Sequence, residues 1–298
     1  MSTLQRVGFI GLGMMGMPMA RCLLKAGFEL CVAAADESRV QALTADRRAH
    51  RLEFDHACSL QALITMLPNS DIVEGVLLDG GAQSWARRLP QGATVIDMGS
   101  SHPSRSRQFG ETLTRYGVDY LDAPVSGGVG KAQSGALAIL VGGDAVVLER
   151  CRPLLRAMGR SVVHVGPAGS GHAAKALNNY VSAASLLATV EALHIATRFG
   201  IDPASMTSVL NACTGHTHAS EHQVQQFMLS GTFASGLALQ LLDRDLQIAQ
   251  TLGRAVKFPM RFGEACAAIW SAAASACNDS TDHTEIYRLL ADGACDRA

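Results

Sequence analysis

Val7-Gly8-Phe9-Ile10-Gly11-Leu12-Gly13-Met14-Met15-Gly16 is the stretch from which the fold is read. A short apolar run ends in three glycines spaced GxGxxG, and Pro18–Lys25 beyond them has helical character. In that strand–turn–helix setting each glycine has its own task. Gly11 permits the tight turn, Gly13 lets the backbone approach a pyrophosphate, and Gly16 lets the helix pack close to the strand. The unpaired N–H groups at a helix start attract an anion. Leu12, Met14 and Met15 complete the loop, so residues 11–16 are read as a dinucleotide-binding turn.

Outward from that turn, β-branched runs alternate with helical stretches up to about Val165. Strands are predicted at Val7–Ile10, Leu30–Ala33, Leu63–Leu67, Thr94–Asp97, Tyr120–Ala123, Leu137–Val141 and Val162–Val165. Helices are predicted at Pro18–Lys25, Ser104–Tyr116 and Ala145–Met158. Such alternation predicts a doubly wound, mostly parallel α/β sheet covered on both faces. After Gly171 the strand signals stop. Ala173–Thr197 is rich in alanine and leucine, Asp202-Pro203 starts another helix with an N-cap and a first-position proline, and Leu241–Leu252 and Phe262–Ala276 read as helices too. The expected organisation is a Rossmann-like domain over 1–166 and an all-α substrate and oligomerisation domain over 167–298. The two are joined through Gly166-Pro167-Ala168-Gly169-Ser170-Gly171.

The chain has 298 residues, about two domains by length. Hydrophobic residues at 48% against 17% charged exclude intrinsic disorder. Twenty-five Lys and Arg against 26 Asp and Glu give no overall basic field, so neither nucleic acid nor an anionic membrane is an expected partner. Ala176–Ala196 is apolar, but Asn178, Asn179, Glu191 and His194 make it too polar for a spanning helix. Eight cysteines without a CxxC spacing, and an N-terminus without an apolar leader, predict a cytoplasmic protein with reduced thiols. His216, His218 and His222 cluster, but no cysteine or acid completes a zinc set, and no metal is expected. Arg47-Arg48-Ala49-His50-Arg51 reads as a solvated face, and Trp85, Trp270 and the methionines as packing residues.

The end of the second strand bears on the cofactor. An acid about 20 residues beyond the glycines holds the ribose diol of NAD. The sequence there is Val32-Ala33-Ala34-Ala35-Asp36-Glu37-Ser38-Arg39. Asp36 or Glu37 would hold a diol and repel a 2′-phosphate, whereas Ser38 and Arg39 would cradle that phosphate and favour NADP. The reading leans to NAD.

Further motifs follow in order: Thr65-Met66-Leu67-Pro68-Asn69, Asp97-Met98-Gly99-Ser100-Ser101, Asp122-Ala123-Pro124-Val125-Ser126-Gly127-Gly128, and Gly169-Ser170-Gly171 followed by Lys175 and Asn179. With the glycine turn, Gly11 to Ala20, they resemble the β-hydroxyacid dehydrogenase family over nearly the whole chain. That group includes 3-hydroxyisobutyrate dehydrogenases and tartronate semialdehyde reductases. The resemblance implies NAD(P)-dependent interconversion of a small β-hydroxy acid and its semialdehyde, in a homodimer or homotetramer. It implies that Met66, Leu67, Pro68 and Asn69 cover the nicotinamide-side ribose and that Ser100 lies near the nicotinamide. It also implies that Ser126, Gly127 and Gly128 take the substrate carboxylate, and that Lys175 and Asn179 sit on the catalytic helix. Two departures stand out. Ala34 occupies the position where NAD-type members carry an acid, and Arg244-Asp245 replaces a Lys-Asp pair, keeping the cation but changing its shape and reach.

The residues fit that chemistry. Lys175 can supply a proton to a developing alkoxide, or as a neutral amine take the proton of a hydroxyl. A free lysine ionises near pH 10.4, so efficient base catalysis requires burial or a neighbouring cation. Asn179 lies one turn on, on the same face, within reach of the ammonium or the substrate hydroxyl. Ser182 extends that polar face, while Leu177, Val181 and Leu187 offer packing. Ser126-Gly127-Gly128 presents a hydroxyl and successive bare N–H groups, a nest for a carboxylate. Arg244 pairs either with the acid end of the substrate or only with Asp245 or a surface carboxylate. Imine reduction and non-catalytic cofactor sensing are the alternative functions. The retained Lys175 speaks against the first, and the intact Lys175, Asn179 and Ser126-Gly127-Gly128 set against the second.

Overall fold

The computed structural model describes residues 5–293, and the chain divides into two compact units, Met1–Lys175 and Ala176–Ala298. In the first, β1 (Arg6–Ile10), β2 (Glu29–Ala33), β3 (Ala49–Arg51), β4 (Ala62–Thr65), β5 (Thr94–Asp97), β6 (Asp119–Asp122), β7 (Val125–Ser126), β8 (Leu137–Gly143) and β9 (Gly159–Gly166) form one sheet. Its order is β3-β2-β1-β4-β5-β6-β8-β7, with β9 also paired to β8. Pairing from β3 to β6 is parallel, and β8 runs antiparallel to β6 and β7. The order reverses between β1 and β4, the switch point where α/β sheets open a crevice beyond the strand C-termini.

Successive side chains on a strand face opposite ways, and burial follows that period. Phe9, Val32, Ile64 and Ile96 join one core, while Cys31, Leu63, Val95 and Tyr120 join another. A sheet apolar on both faces has to be covered on both. β3 is an edge strand that was not expected, but the run around it does form a solvated face, with Arg47, Arg48, His50 and Arg51 exposed. Ala49 is buried, whereas His50 and Arg51 stay exposed and Arg51 pairs with Glu37. Short charged edges of this kind discourage pairing with another chain.

The spine of the second unit is the 30-residue helix Ser170–Phe199, whose first residues belong to the first unit. Length and composition alone would let it cross a membrane. Here Ala183, Leu186, Leu187, Val190 and Leu193 pack with Met228, Leu242, Leu246 and Trp270 in the core of that unit. Leu177 and Val181 are exposed rather than packed, a correction to the expectation, while Leu187 is buried. Asp202 caps the helix Pro203–Ala212 by accepting from the Ser205 N–H at 2.8 Å, as the Asp-Pro pair predicts. Ala219–Leu229 is a π-helix, Leu239–Ala255 and Arg261–Ser275 are α-helices, and Ile286–Ala291 is a short closing one.

Candidate active site

The three glycines of the turn differ in what demands them. Gly11 has φ of +103°, and a Cβ there would strike the Met66 carbonyl. A Cβ on Gly16 would collide with the Gly11 carbonyl. At Gly13 nothing lies within 4 Å of where a Cβ would sit. The fold therefore requires Gly11 and Gly16, while the bareness of Gly13 keeps space open beyond the protein. The helix that follows, Gly16–Lys25, has no side-chain cap and no acid in its first turn. Open space beside an uncapped helix start fits a pyrophosphate.

Neighbouring loops close around the same strand ends. Met66 donates its N–H to the Ile10 carbonyl at 2.8 Å, and Met98 donates to Thr65 at 2.8 Å. A Cβ at Gly99 would run into the Leu67 carbonyl. The structure thus brings residues 11–16, 66–69 and 98–101 together at the C-terminal ends of the adjacent strands β1, β4 and β5. The Asn69 side chain caps the helix Ser70–Leu78, accepting from the Ile72 N–H at 3.0 Å, so its oxygen is in structural use. Ser101 rather than Ser100 donates to Asp97, at 2.7 Å.

Asp36 is the N-cap of the helix Glu37–Thr44. It accepts from the Ser38 hydroxyl at 2.6 Å, the Ser38 N–H at 3.0 Å and Arg39 Nε at 3.1 Å. The Ser38 hydroxyl first, with Arg39 adding to it, holds this carboxyl below the usual range. Arg39 also donates to the Leu12 carbonyl at 2.8 Å, tying the exit of β2 to the glycine turn. The acid and the base that pointed to different cofactors are therefore paired with each other.

Ser126 ends β7, and Gly127 and Gly128 follow with φ of +134° and +69°. Both glycines are exposed and Gly128 has open space about it, as a backbone nest requires. A Cβ on Gly127 would meet the stem of Lys131, a cation beside the nest that sequence reasoning passed over. Asp97 and Asp122 were quoted in motifs but given no role. Each is a buried acid at the C-terminal end of a parallel strand, and that placement is the signal that would have marked them.

In the second unit, Asn179 is buried and donates its amide to Asp245 Oδ2 at 2.5 Å. Asp245, also buried, lies on the helix Leu239–Ala255. Asp245 is thus the partner of Asn179. The buried Nε of the neighbouring Arg244 makes no hydrogen bond among the described residues. Lys175 and Asn179 share one helix, one turn apart. His216 and His222 both reach Glu221, at 3.1 and 3.3 Å. Among the described residues no group of three or more His, Cys, Asp or Glu could hold a metal. An apolar cavity of about 590 Å³, lined by residues that include Tyr180, Leu252, Phe258 and Phe262, contains none of the predicted site residues.

A mostly parallel sheet with a dinucleotide turn at its switch point, followed in sequence by a helical unit, defines an NAD(P)-binding protein of two parts. Residues 6–166 match the model of the NAD-binding domain of 6-phosphogluconate dehydrogenase, and residues 169–290 that of the NAD-binding domain of NADP-dependent 3-hydroxyisobutyrate dehydrogenase. The chain is 35% identical to 2-(hydroxymethyl)glutarate dehydrogenase of Eubacterium barkeri over 257 residues, 86% of this chain and 84% of that one. It is also 35% identical to the NAD-dependent L-serine dehydrogenase of Pseudomonas aeruginosa over 259 residues, covering 85% and 86%. The structure of Mycobacterium tuberculosis 3-hydroxyisobutyrate dehydrogenase with L-serine is similar at a TM-score of 0.88 and 27% identity, covering 97% of this chain and 99% of that one. The chain belongs to the β-hydroxyacid dehydrogenase family and is an NAD(P)-dependent 3-hydroxyacid dehydrogenase-like enzyme.

Proposed function

We propose that the enzyme interconverts a small acid of the form HOCH2–CHR–COO⁻ and its semialdehyde, the 3-hydroxyisobutyrate or tartronate semialdehyde type of substrate. The names of the relatives support this chemistry, since serine, 3-hydroxyisobutyrate and 2-(hydroxymethyl)glutarate all carry a hydroxymethyl group beside a carboxylated carbon. The bound nicotinamide supplies hydride acceptance and return. The residues of the chain do the rest. Ser126, Gly127 and Gly128 take the carboxylate through a hydroxyl and bare N–H groups. Lys175 as a neutral amine removes the hydroxyl proton during oxidation, and as an ammonium returns it during reduction. Asn179, its amide fixed by Asp245, orients the oxygen that Lys175 serves. Arg244 reads R when R is polar or acidic.

The observation that carries the reading is the fixed Asn179 amide one turn from Lys175. Burying the Asp245 carboxylate to aim one amide is costly unless that amide has work to do. We propose NAD as the cofactor, because Asp36 engages Ser38 and Arg39 and so holds them away from a 2′-phosphate. We also propose self-association through the second unit, which exposes Val256, Phe258 and Phe262. The test is a panel of hydroxymethyl acids run with NAD⁺ and with NADP⁺, read by the absorbance of reduced nicotinamide. Turnover of at least one such acid, faster with NAD⁺, is expected, and silence across the panel would contradict the reading. Light scattering at micromolar concentration tests self-association, with a monomer mass as the contrary result.

A further inference from the structure

Asp122 at the end of β6 stands beside Asp97 at the end of β5, directly across the parallel register. The two are 0% and 1% exposed. A carboxylate this deep is costly unless hydrogen bonds satisfy it. Asp122 meets that demand with backbone groups from a distant part of the chain. Its Oδ1 accepts from the Gly169 N–H at 2.7 Å, and its Oδ2 from the His172 N–H at 2.8 Å. These donors bracket the start of the helix Ser170–Phe199. The buried His172 ring adds a second tie. Its Nδ1 is 2.7 Å from the Ser106 hydroxyl, and the ring nitrogens lie 3.8 Å from an oxygen of each acid. Glycines leave the junction no slack. A Cβ on Gly169 would strike the Pro103 carbonyl, and one on Gly171 the carbonyls of Leu140 and Asp122. Lys175 follows His172 by three residues, about one helical turn.

We propose that Asp122 is a positioning residue for Lys175, an inference that rests on the reading of Lys175 as the proton-transfer group. The carboxylate clamps the helix start to the end of β6, so the amine rides on a helix whose first turn cannot rock or unwind. Asp97 does the matching task one strand over. It accepts from the Gly99 N–H and the Ser101 hydroxyl, and so holds the loop that carries Ser100. The same unit contains its own control. Asp144 caps the helix Ala145–Met158 through the Val146 and Val147 N–H groups, and that helix carries none of the candidate site residues.

Asp122→Asn keeps the shape but turns an amide toward one of the two N–H groups. Its kcat on the best hydroxymethyl acid is expected to fall on the order of a hundredfold, the cost of a small misplacement of a reacting group. Its Kd for NADH, read by fluorescence, should be unchanged. Asp144→Ala, which removes that cap, should lower the melting temperature and leave kcat at the wild-type value. A wild-type kcat in folded Asp122→Asn, or equal losses in both variants, would overturn the proposal. Hydrogen exchange on the wild-type protein keeps the test alive if Asp122→Asn does not fold. The Gly169 and His172 amides should exchange as slowly as those of the central strands, and exchange at the rate of a frayed helix end would overturn the clamp. A wild-type enzyme inert toward every hydroxymethyl acid would instead remove the role of Lys175, and the exchange rates would still decide the clamp.

Discussion

The two units build their candidate functional parts from different materials. In Met1–Lys175 the parts are largely backbone: a glycine turn, abutting loops and a nest of bare N–H groups. In Ala176–Ala298 they are side chains, an asparagine held by an aspartate 66 residues away and an arginine next to that aspartate. Backbone parts depend on bareness, so adding atoms harms them. Side-chain parts depend on particular polar atoms, so isosteric removal of one atom harms them. The units should therefore fail in different ways, and each variant below is chosen to show the difference or abolish it.

The largest effects belong to the glycine turn. Gly16→Val should destroy the fold of the first unit, because the added atoms meet the Gly11 carbonyl with nowhere to move. Gly13→Val should fold, because its surroundings are open, yet lose NADH affinity by more than about a hundredfold as the pyrophosphate space fills. Thermal melts and fluorescence titrations separate the two. Equal stability loss in both variants would erase the distinction between glycines kept for the fold and the one kept for a ligand.

Asp245→Asn should act on catalysis in the second unit. Hydrogen bonds to charged groups contribute about 1.5–3 kcal/mol, so kcat should fall roughly tenfold to a hundredfold with NADH affinity intact. A drop in melting temperature with unchanged kcat would make Asp245 merely structural. Ser126→Ala tests the backbone character of the nest. KM for the acid should rise by about tenfold or somewhat more, since one charged hydrogen bond goes and the N–H groups stay. A loss much larger than that would place the nest among the side-chain parts.

What could be read in advance follows the same division. Local signals carried the first unit. Three glycines in six residues and alternating strands lie within a few residues of what they shape, as does the Asp202-Pro203 helix start in the second unit. β3 was missed because three residues of a charged edge strand leave no apolar alternation to read. The π-helix Ala219–Leu229 was missed altogether, because its mix of polar and apolar residues gave no helical signal of the kind read elsewhere. Asp122 and His172 were missed because their meaning comes from partners more than 30 residues away, as in the bonds from Gly169 and His172 to Asp122. Asp97 has local partners in Gly99 and Ser101, but its place beside Asp122 exists only in the register of the sheet. The bond between Asn179 and Asp245 was missed for the same reason. Asp36 and Arg39 could each be assigned a cofactor, yet only the structure shows that they are paired with each other.

The smallest predicted effect concerns acid stability. Burial pushes the His283 imidazole below its ordinary value of 6.5, although Asp282 beside it pulls the other way. The unfolded chain then binds this proton more readily than the native one. The stability contributed by neutral His283 is present above about pH 6.5 and is lost as the pH falls through the lower native value. Melts from about pH 8 down to about pH 5 should show the helical unit weakening, and His283→Gln should flatten that part of the curve. An unchanged slope in His283→Gln would assign the acid sensitivity elsewhere.

Lys175 carries the central claim, and Lys175→Ala tests it most directly when cofactor binding and turnover are measured on the same preparation. NADH should bind as in the wild type, because the glycine turn is untouched. The kcat on the best hydroxymethyl acid should fall by about 10² to 10⁴, the cost of losing one general acid–base. Normal NADH binding with near wild-type kcat would contradict the account.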